Sequence, residues 1–223
     1  MKKFKKYLGI DNPNNWEELL NYVKDNMTIL VQKNLINSEI LKKYVPDEIL
    51  VANNIFVGGK RVEQRGGKAY FFDSTSWHLK YSTSYHFGNS KSTHYDKSNS
   101  KHFGDSISWH FEYSTSYHYD YSISYHYDKS NSKHFGDSIS KHYDKSNSEH
   151  FGKSISEHFG DSKSKHFGDS KSEHFGKSKS GHFCKSKSEH FDKSKSKHFG
   201  DSTSEHFGKS TSEHFDNSTF TRY

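Results

Sequence analysis

All eighteen histidines of this 223-residue chain stand in one register, from His78 to His214 in steps of eight. A serine follows each histidine by four residues, from Ser82 to Ser218, and a second follows by six until Phe220 breaks the row. Imidazole is a common metal ligand and the usual general base, so two kinds of chemistry have to be weighed. A structural zinc site closes four ligands around one ion, commonly mixing Cys with His, and no second ligand type clusters near these histidines. A catalytic serine needs one uniquely oriented base and an oxyanion hole, whereas near-identical copies provide no unique setting. Repetition therefore points to structure, with no enzyme activity, no cofactor and no metal expected.

The repeating unit reads His-Phe/Tyr-Gly/Asp-x-Ser-x-Ser-x, and the slot after histidine is aromatic in every copy but the first, where Leu79 stands. Tyr70 in the histidine slot, with Ser74-Thr75-Ser76 behind it, reads as one further copy, so the array spans 69–220. A helix is excluded by the period, because eight residues are about 2.2 turns and identical residues would drift around the cylinder. Disorder is the serious alternative, since Ser/Lys-rich low complexity often stays unfolded. The β reading explains more. Ser-x-Ser-x-His alternates with period two, and Gly or Asp after the aromatic marks a turn. One octad is too short to close a coil, but two octads make sixteen residues with two strands. Ile107, Ile123, Ile139 and Ile155 recur at sixteen, with Thr or Asn in the octads between. The expected fold is all-β: a β-solenoid of about 16-residue coils with a small N-terminal α/β cap.

Lysine and glutamate fill the variable slots, and such residues are almost never fully buried unpaired. The fixed slots must then face inward. The ladder expected in the core comprises His78, His86, His102, His134, His166 and His198 with Ser82, Ser84, Ser106 and Ser108. Serine hydroxyls are expected to pair between coils, and imidazoles about 4.8 Å apart to form neutral hydrogen-bonded ladders. Phe87, Phe103, Phe135, Phe167 and Phe199 are placed at the corners. Trp77, Trp109 and Tyr125 share one outward column and Tyr85 and Tyr117 the opposite one. These five rings are the candidate binding patch, the alternative being contact with the N-terminal cap. Cys184 replaces a turn glycine and has no cysteine partner.

Residues 1–68 read as a cap. Asp11-Asn12-Pro13-Asn14 precedes an amphipathic helix from Trp16, a second helix covers Ser38 to Tyr44, and Ile55–Val62 reads as a hairpin. Residues 221–223 form a tail. The hydrophobic fraction of 29% is low, but 18 Phe and 15 Tyr oppose disorder. Residues 69–223 carry 21 basic and 19 acidic side chains, interleaved, which argues against a nucleic-acid partner. The basic start lacks the apolar run of a signal peptide, and no stretch approaches a membrane span, so a cytoplasmic or virion-associated setting is the default with no membrane partner.

Read from its aromatic, Phe167-Gly168-Asp169-Ser170-Lys171-Ser172 resembles the Tyr-Gly-Ser-Thr-x-Thr unit of bacterial ice-nucleation proteins. His198 to Glu205 is similar, slot for slot, to the Ala-Tyr-Gly-Asn-Ser-Thr-Val-x octads of bacterial and phage β-solenoids, with His and Ser replacing inward Ala and Val. The resemblance covers about two thirds of the chain, excludes the cap and implies a sixteen-residue coil. The expected function is a non-enzymatic scaffold presenting a regular surface to a protein, glycan or other surface. Self-association through solenoid ends or aromatic columns is a further route. Ice binding and a disordered or self-assembling low-complexity chain are the alternatives.

Overall fold

A computed structural model describes all 223 residues. Five short helices come first: α1 (Lys2–Leu8), α2 (Trp16–Asp25), α3 (Met27–Gln32), α4 (Ser38–Tyr44) and α5 (Asp47–Ala52). Asn15 and Asn37 start α2 and α4, their side chains accepting hydrogen bonds from the amides of Glu18 and Ile40 at 2.9 Å. Twenty-two strands follow, from β1 (Ile55–Val57) to β22 (Thr219–Arg222). Odd-numbered strands form one eleven-stranded parallel sheet and even-numbered strands the other. The chain alternates between the sheets at every turn, so each pair of strands is one coil. At ~4.8 Å per rung the eleven rungs span about 48 Å.

Successive coils keep a register of sixteen, as in His134 on His150 and Ser132 on Ser148. That register satisfies the backbone without help from side chains. The amide of Asn131, for example, donates to the carbonyl of Ser114 at 2.9 Å, and that of Tyr127 to the carbonyl of His110 at 2.8 Å. A parallel ladder that repeats on itself leaves no internal edge.

The turns explain the Gly/Asp slot. The residue two after histidine has positive φ in all eighteen octads: nine are glycine, six aspartate, and the others Lys80, Glu112 and Cys184. Glycine enters this left-handed region freely and aspartate enters more readily than most other residues. Space is tight as well. A Cβ on Gly168 would sit 3.2 Å from the Gly152 carbonyl oxygen one coil below.

Two expectations change near the cap. Ile55–Val62 is not a hairpin: β1 pairs with β3 (Lys68–Phe72) and β2 (Arg61–Gln64) with β4 (Thr75–His78), so these strands already belong to a coil. The Gly58-Gly59 signal is a solenoid corner, and the local pattern of a corner and of a hairpin turn is the same. Secondly, Phe71 rather than Tyr70 occupies the histidine slot, because this coil is fifteen residues long and aligns Phe71 with His86. The two rings stack at 4.9 Å. Tyr70 instead points to the cap, where it joins Phe4, Leu19, Leu20, Leu41, Leu50, Phe72 and Phe87 in the only aliphatic and aromatic core cluster. At the far end, residues 219–222, including part of the expected tail, form β22 against β20 (Thr203–His206).

Cys184 sits at φ 64°, a conformation that costs a side-chain-bearing residue about 1 kcal/mol relative to glycine. Cys184→Gly should therefore raise stability by about 1 kcal/mol, read as a higher urea midpoint at unchanged slope. A lower midpoint would contradict the turn assignment.

Candidate functional site

The interior is a zipper of imidazoles and hydroxyls. Sixteen of the eighteen histidines, His78 through His198, have no exposed surface. In every octad the histidine Nε2 is hydrogen-bonded to the Oγ of the serine two residues before it, at distances from 2.7 Å in His78 to 3.1 Å in His158. Strand geometry dictates this pairing, since residues two apart share one face. Ser84 serves His86, Ser100 serves His102 and Ser108 serves His110. Within each sheet the rings stack in parallel: His134 on His150 is typical, with centroids 4.7 Å apart and planes 7° from parallel. Between sheets they meet edge to face, as His134 meets His142 at 5.5 Å and 83°.

The expected hydrogen-bonded imidazole ladder and the serine pairing between coils are both absent. Parallel stacking directs each ring's nitrogens sideways, away from the ring above, and the bonds form within one strand. The outer serine row, Ser82, Ser98, Ser106 and their successors, is buried with Oγ unpartnered, and Nδ1 of most histidines is likewise unpartnered. The two end coils show what these atoms can do. Gln64 Oε1 lies 2.7 Å from His78 Nδ1. An amide oxygen only accepts, so the proton is on Nδ1 and Ser76 donates to Nε2. At the other end His206 Nδ1 meets Ser210 Oγ at 3.0 Å, a pair that inner coils leave open.

Burial has a large electrostatic consequence. Desolvation, with the neighbouring imidazoles adding repulsion, pushes His102 and His134 down from 6.5 to about 3, and lowers the other core histidines in the same direction. The folded core is therefore neutral and the unfolded chain takes protons below pH ~6.5. Stability is present above that pH and falls as pH drops toward the folded value, by about 1.4 kcal/mol per histidine per pH unit.

Trios such as His78, His86 and His94 bring their ring nitrogens within 4.8 Å of one another. A shared zinc ion would need metal–nitrogen bonds of about 2.0–2.1 Å, so even opposed nitrogens could be only about 4.2 Å apart. The stacked rings of one sheet stand 4.7 Å apart on a backbone ladder that fixes the spacing. No carboxylate enters the core to offset a buried cation. The zipper is a poor metal cage.

Outside, the corner rings form two continuous stacks, including Phe135 on Phe151 and Phe151 on Phe167 at 5.0 Å; Phe72 and Phe87, at the cap end of one stack, are buried. Phe103 and Phe199 belong to the same column. The five candidate rings divide between opposite sheets and do not form one patch. Trp77, Trp109 and Tyr125 lie on the even-strand sheet, with Trp109 stacked on Tyr125 at 5.8 Å and Thr93 separating it from Trp77. Tyr85 and Tyr117 lie on the odd-strand sheet with Lys101 between them, and Tyr85 stacks on Tyr70 at 5.1 Å beside the cap. Beside Trp109 and Tyr125 runs the column Ile107, Ile123, Ile139, Ile155, the last two 42% and 47% exposed.

Charge columns were not singled out in the sequence, although reading it in steps of sixteen would have shown them. On the odd-strand sheet a groove of about 1000 Å³ runs over seven rungs from Thr115 to Glu213. Lys163, Lys179 and Lys195 line it, and Gly181 leaves a gap in the neighbouring column. The even-strand sheet carries Glu157, Glu173, Glu189 and Glu205 on adjacent rungs.

Fold and interior together define a two-sheet parallel β-solenoid with a histidine–serine core. Set against known protein families, curated proteins and solved structures, the chain matches none of them. No helix is long and apolar enough to cross a membrane.

The two serine rows should respond differently to truncation. Ser140→Ala removes the partner of His142 Nε2 and should cost about 1–2 kcal/mol, whereas Ser138→Ala removes an unpartnered buried hydroxyl and should be neutral or stabilising. Urea midpoints of the two variants check this, and equal losses would contradict the bonding pattern.

Proposed function

We propose that the protein is a non-enzymatic repeat scaffold, a rod that presents evenly spaced outward columns to a protein, glycan or other surface. One observation carries this reading: the serines and histidines, the side chains with reactive potential, are committed to the interior, while outward slots recur on every rung. A buried, repeated serine–histidine pair offers a substrate neither access nor a single oxyanion pocket. Ligands with their own repeat suit such a surface, because each rung adds one small contact and many rungs sum them. Half-buried aromatic stacks and the exposed isoleucine column add apolar contact area.

The octad's similarity to ice-nucleation repeats supports the coil and carries less for ice. Ice recognition calls for a flat outward array of hydroxyls, and the Ser-x-Ser pairs here are turned inward, the second serine of each engaged by histidine. Outward threonines such as Thr83, Thr115 and Thr211 are separated in their column by Asn and Lys.

A glycan-array and coated-surface binding screen tests the proposal, with Trp109→Ser/Tyr125→Ser and Tyr117→Ser variants alongside the wild type. Capture by a polymeric ligand is expected, with at least one of these outward variants weakening it by about tenfold at unchanged melting temperature. Binding unaffected by the outward changes would overturn the reading. Thermal hysteresis in pure protein would replace it with ice binding.

A further inference from the structure

We infer that the groove on the odd-strand sheet binds a linear acidic polysaccharide, with Lys163, Lys179 and Lys195 on its anionic groups and the gap at Gly181 receiving a sugar ring. The inference rests on the scaffold reading and names the ligand class for one face.

Charge on this face does not balance. The outward slots of the four odd strands from β13 (Asn147–Phe151) to β19 (Lys195–His198) hold five lysines and one glutamate. The eight corners flanking those strands add five lysines and five aspartates, which cancel. The even strands from β14 (Ile155–His158) to β20 (Thr203–His206) set Lys171 and Lys187 among four glutamates, so the basic excess belongs to one sheet. Along the groove Glu149 pairs with Lys133 at 2.9 Å and with Lys165 at 3.8 Å, and Glu213 pairs with Lys197 at 2.8 Å. Lys163, Lys179 and Lys195 stand exposed on consecutive rungs with no carboxylate within 4.0 Å. Like charges one rung apart repel, and an anion lying along the column relieves that repulsion.

The second outward column supplies the seat. Gly181 stands there between Lys165 and Lys197 and is its only glycine. The missing side chain uncovers the edge of Phe183, since a Cβ at Gly181 would lie 3.2 Å from that ring. Phe183 and Phe199 both line the groove. The C–H face of a pyranose packs against such a ring while its acidic group reaches the lysines alongside.

Spacing selects the polymer. Rungs repeat every ~4.8 Å, close to the length of one pyranose unit in an extended chain. A polysaccharide with one acidic group per sugar therefore meets one unpaired lysine per rung along Lys163, Lys179 and Lys195. Duplex DNA carries one charge per ~1.7 Å, about three per rung, which this column does not match. The odd-strand sheet also has no arginine to fork onto phosphates.

Biolayer interferometry of the full chain on immobilised polygalacturonate tests the inference, with neutral dextran and single-stranded poly(dT) as the other arms. Wild-type protein is expected to bind polygalacturonate, to ignore dextran, and to lose about tenfold in affinity between about 50 mM and 500 mM NaCl. Lys179→Glu/Lys195→Glu should weaken binding by about tenfold at unchanged melting temperature. Lys171→Glu/Lys187→Glu makes the same charge change in the same slots of the even-strand sheet and should leave affinity within about twofold. Gly181→Gln fills the gap without altering charge and should weaken binding about fivefold. No binding to polygalacturonate, equal losses in the two charge variants, or full affinity in Gly181→Gln would overturn the inference. Tighter binding to poly(dT) than to polygalacturonate would overturn it in favour of nucleic acid. Trp109 and Tyr125 lie on the opposite sheet and are intact in all these variants, so their effect on array capture reads the scaffold proposal separately.

Discussion

A neutral imidazole stacked on another at one β-rung is the interaction on which this molecule depends. The ~4.8 Å spacing of hydrogen-bonded strands is close to the contact distance of parallel aromatic rings, so the backbone ladder and the ring stack satisfy each other. Serine at the position two residues earlier supplies the one hydrogen bond that a buried ring most needs. The result is an interior that is polar by composition and nearly aromatic in packing. It lets a chain with few aliphatic residues beyond residue 54 form a rod.

That interior imposes conditions on everything around it. Rings in register require a sixteen-residue coil, and a coil that short requires a left-handed residue at each corner, which explains the Gly/Asp slot and makes Lys80, Glu112 and Cys184 its strained members. Outward slots are released from packing and vary freely, so charge and aromatic columns can differ between the two faces without touching the core. The open lower end is covered where the polar pattern ceases: Phe71 and Phe56 continue the histidine column as plain aromatics, and Gln64 closes the other. The helices then bring the aliphatic core that the array lacks.

Much of this was readable in the sequence, and the failures are physical. The octad and the sixteen-residue rhythm of isoleucine fixed coil length, and the incompatibility of lysine with burial fixed which slots face inward. The helices from Trp16 and over Ser38–Tyr44 followed from capping and periodicity. The first coil was misread because a corner and a hairpin turn share the same glycines, and only long-range pairing distinguishes them. Tyr70 was placed in the wrong slot because one coil is a residue short, a slip that flips each side chain to the other face. Side-chain bonding was misjudged for a different reason. Composition shows that serine and histidine share a core, but only ring orientation decides whether imidazoles bond to one another or stack.

The central claim is that sixteen imidazoles are buried and uncharged. Protonating them in the unfolded chain alone costs the fold about 20 kcal/mol by one pH unit below 6.5, more than the ~5–15 kcal/mol that ordinarily holds a domain. Imidazole nitrogen shifts followed by NMR from pH 8 downward, with far-UV circular dichroism on the same samples, measure this directly. The account predicts neutral rings that persist until the β signal is lost in one transition between about pH 6.5 and pH 5. Histidines that titrate individually near pH 6.5 while the strands remain intact would contradict it.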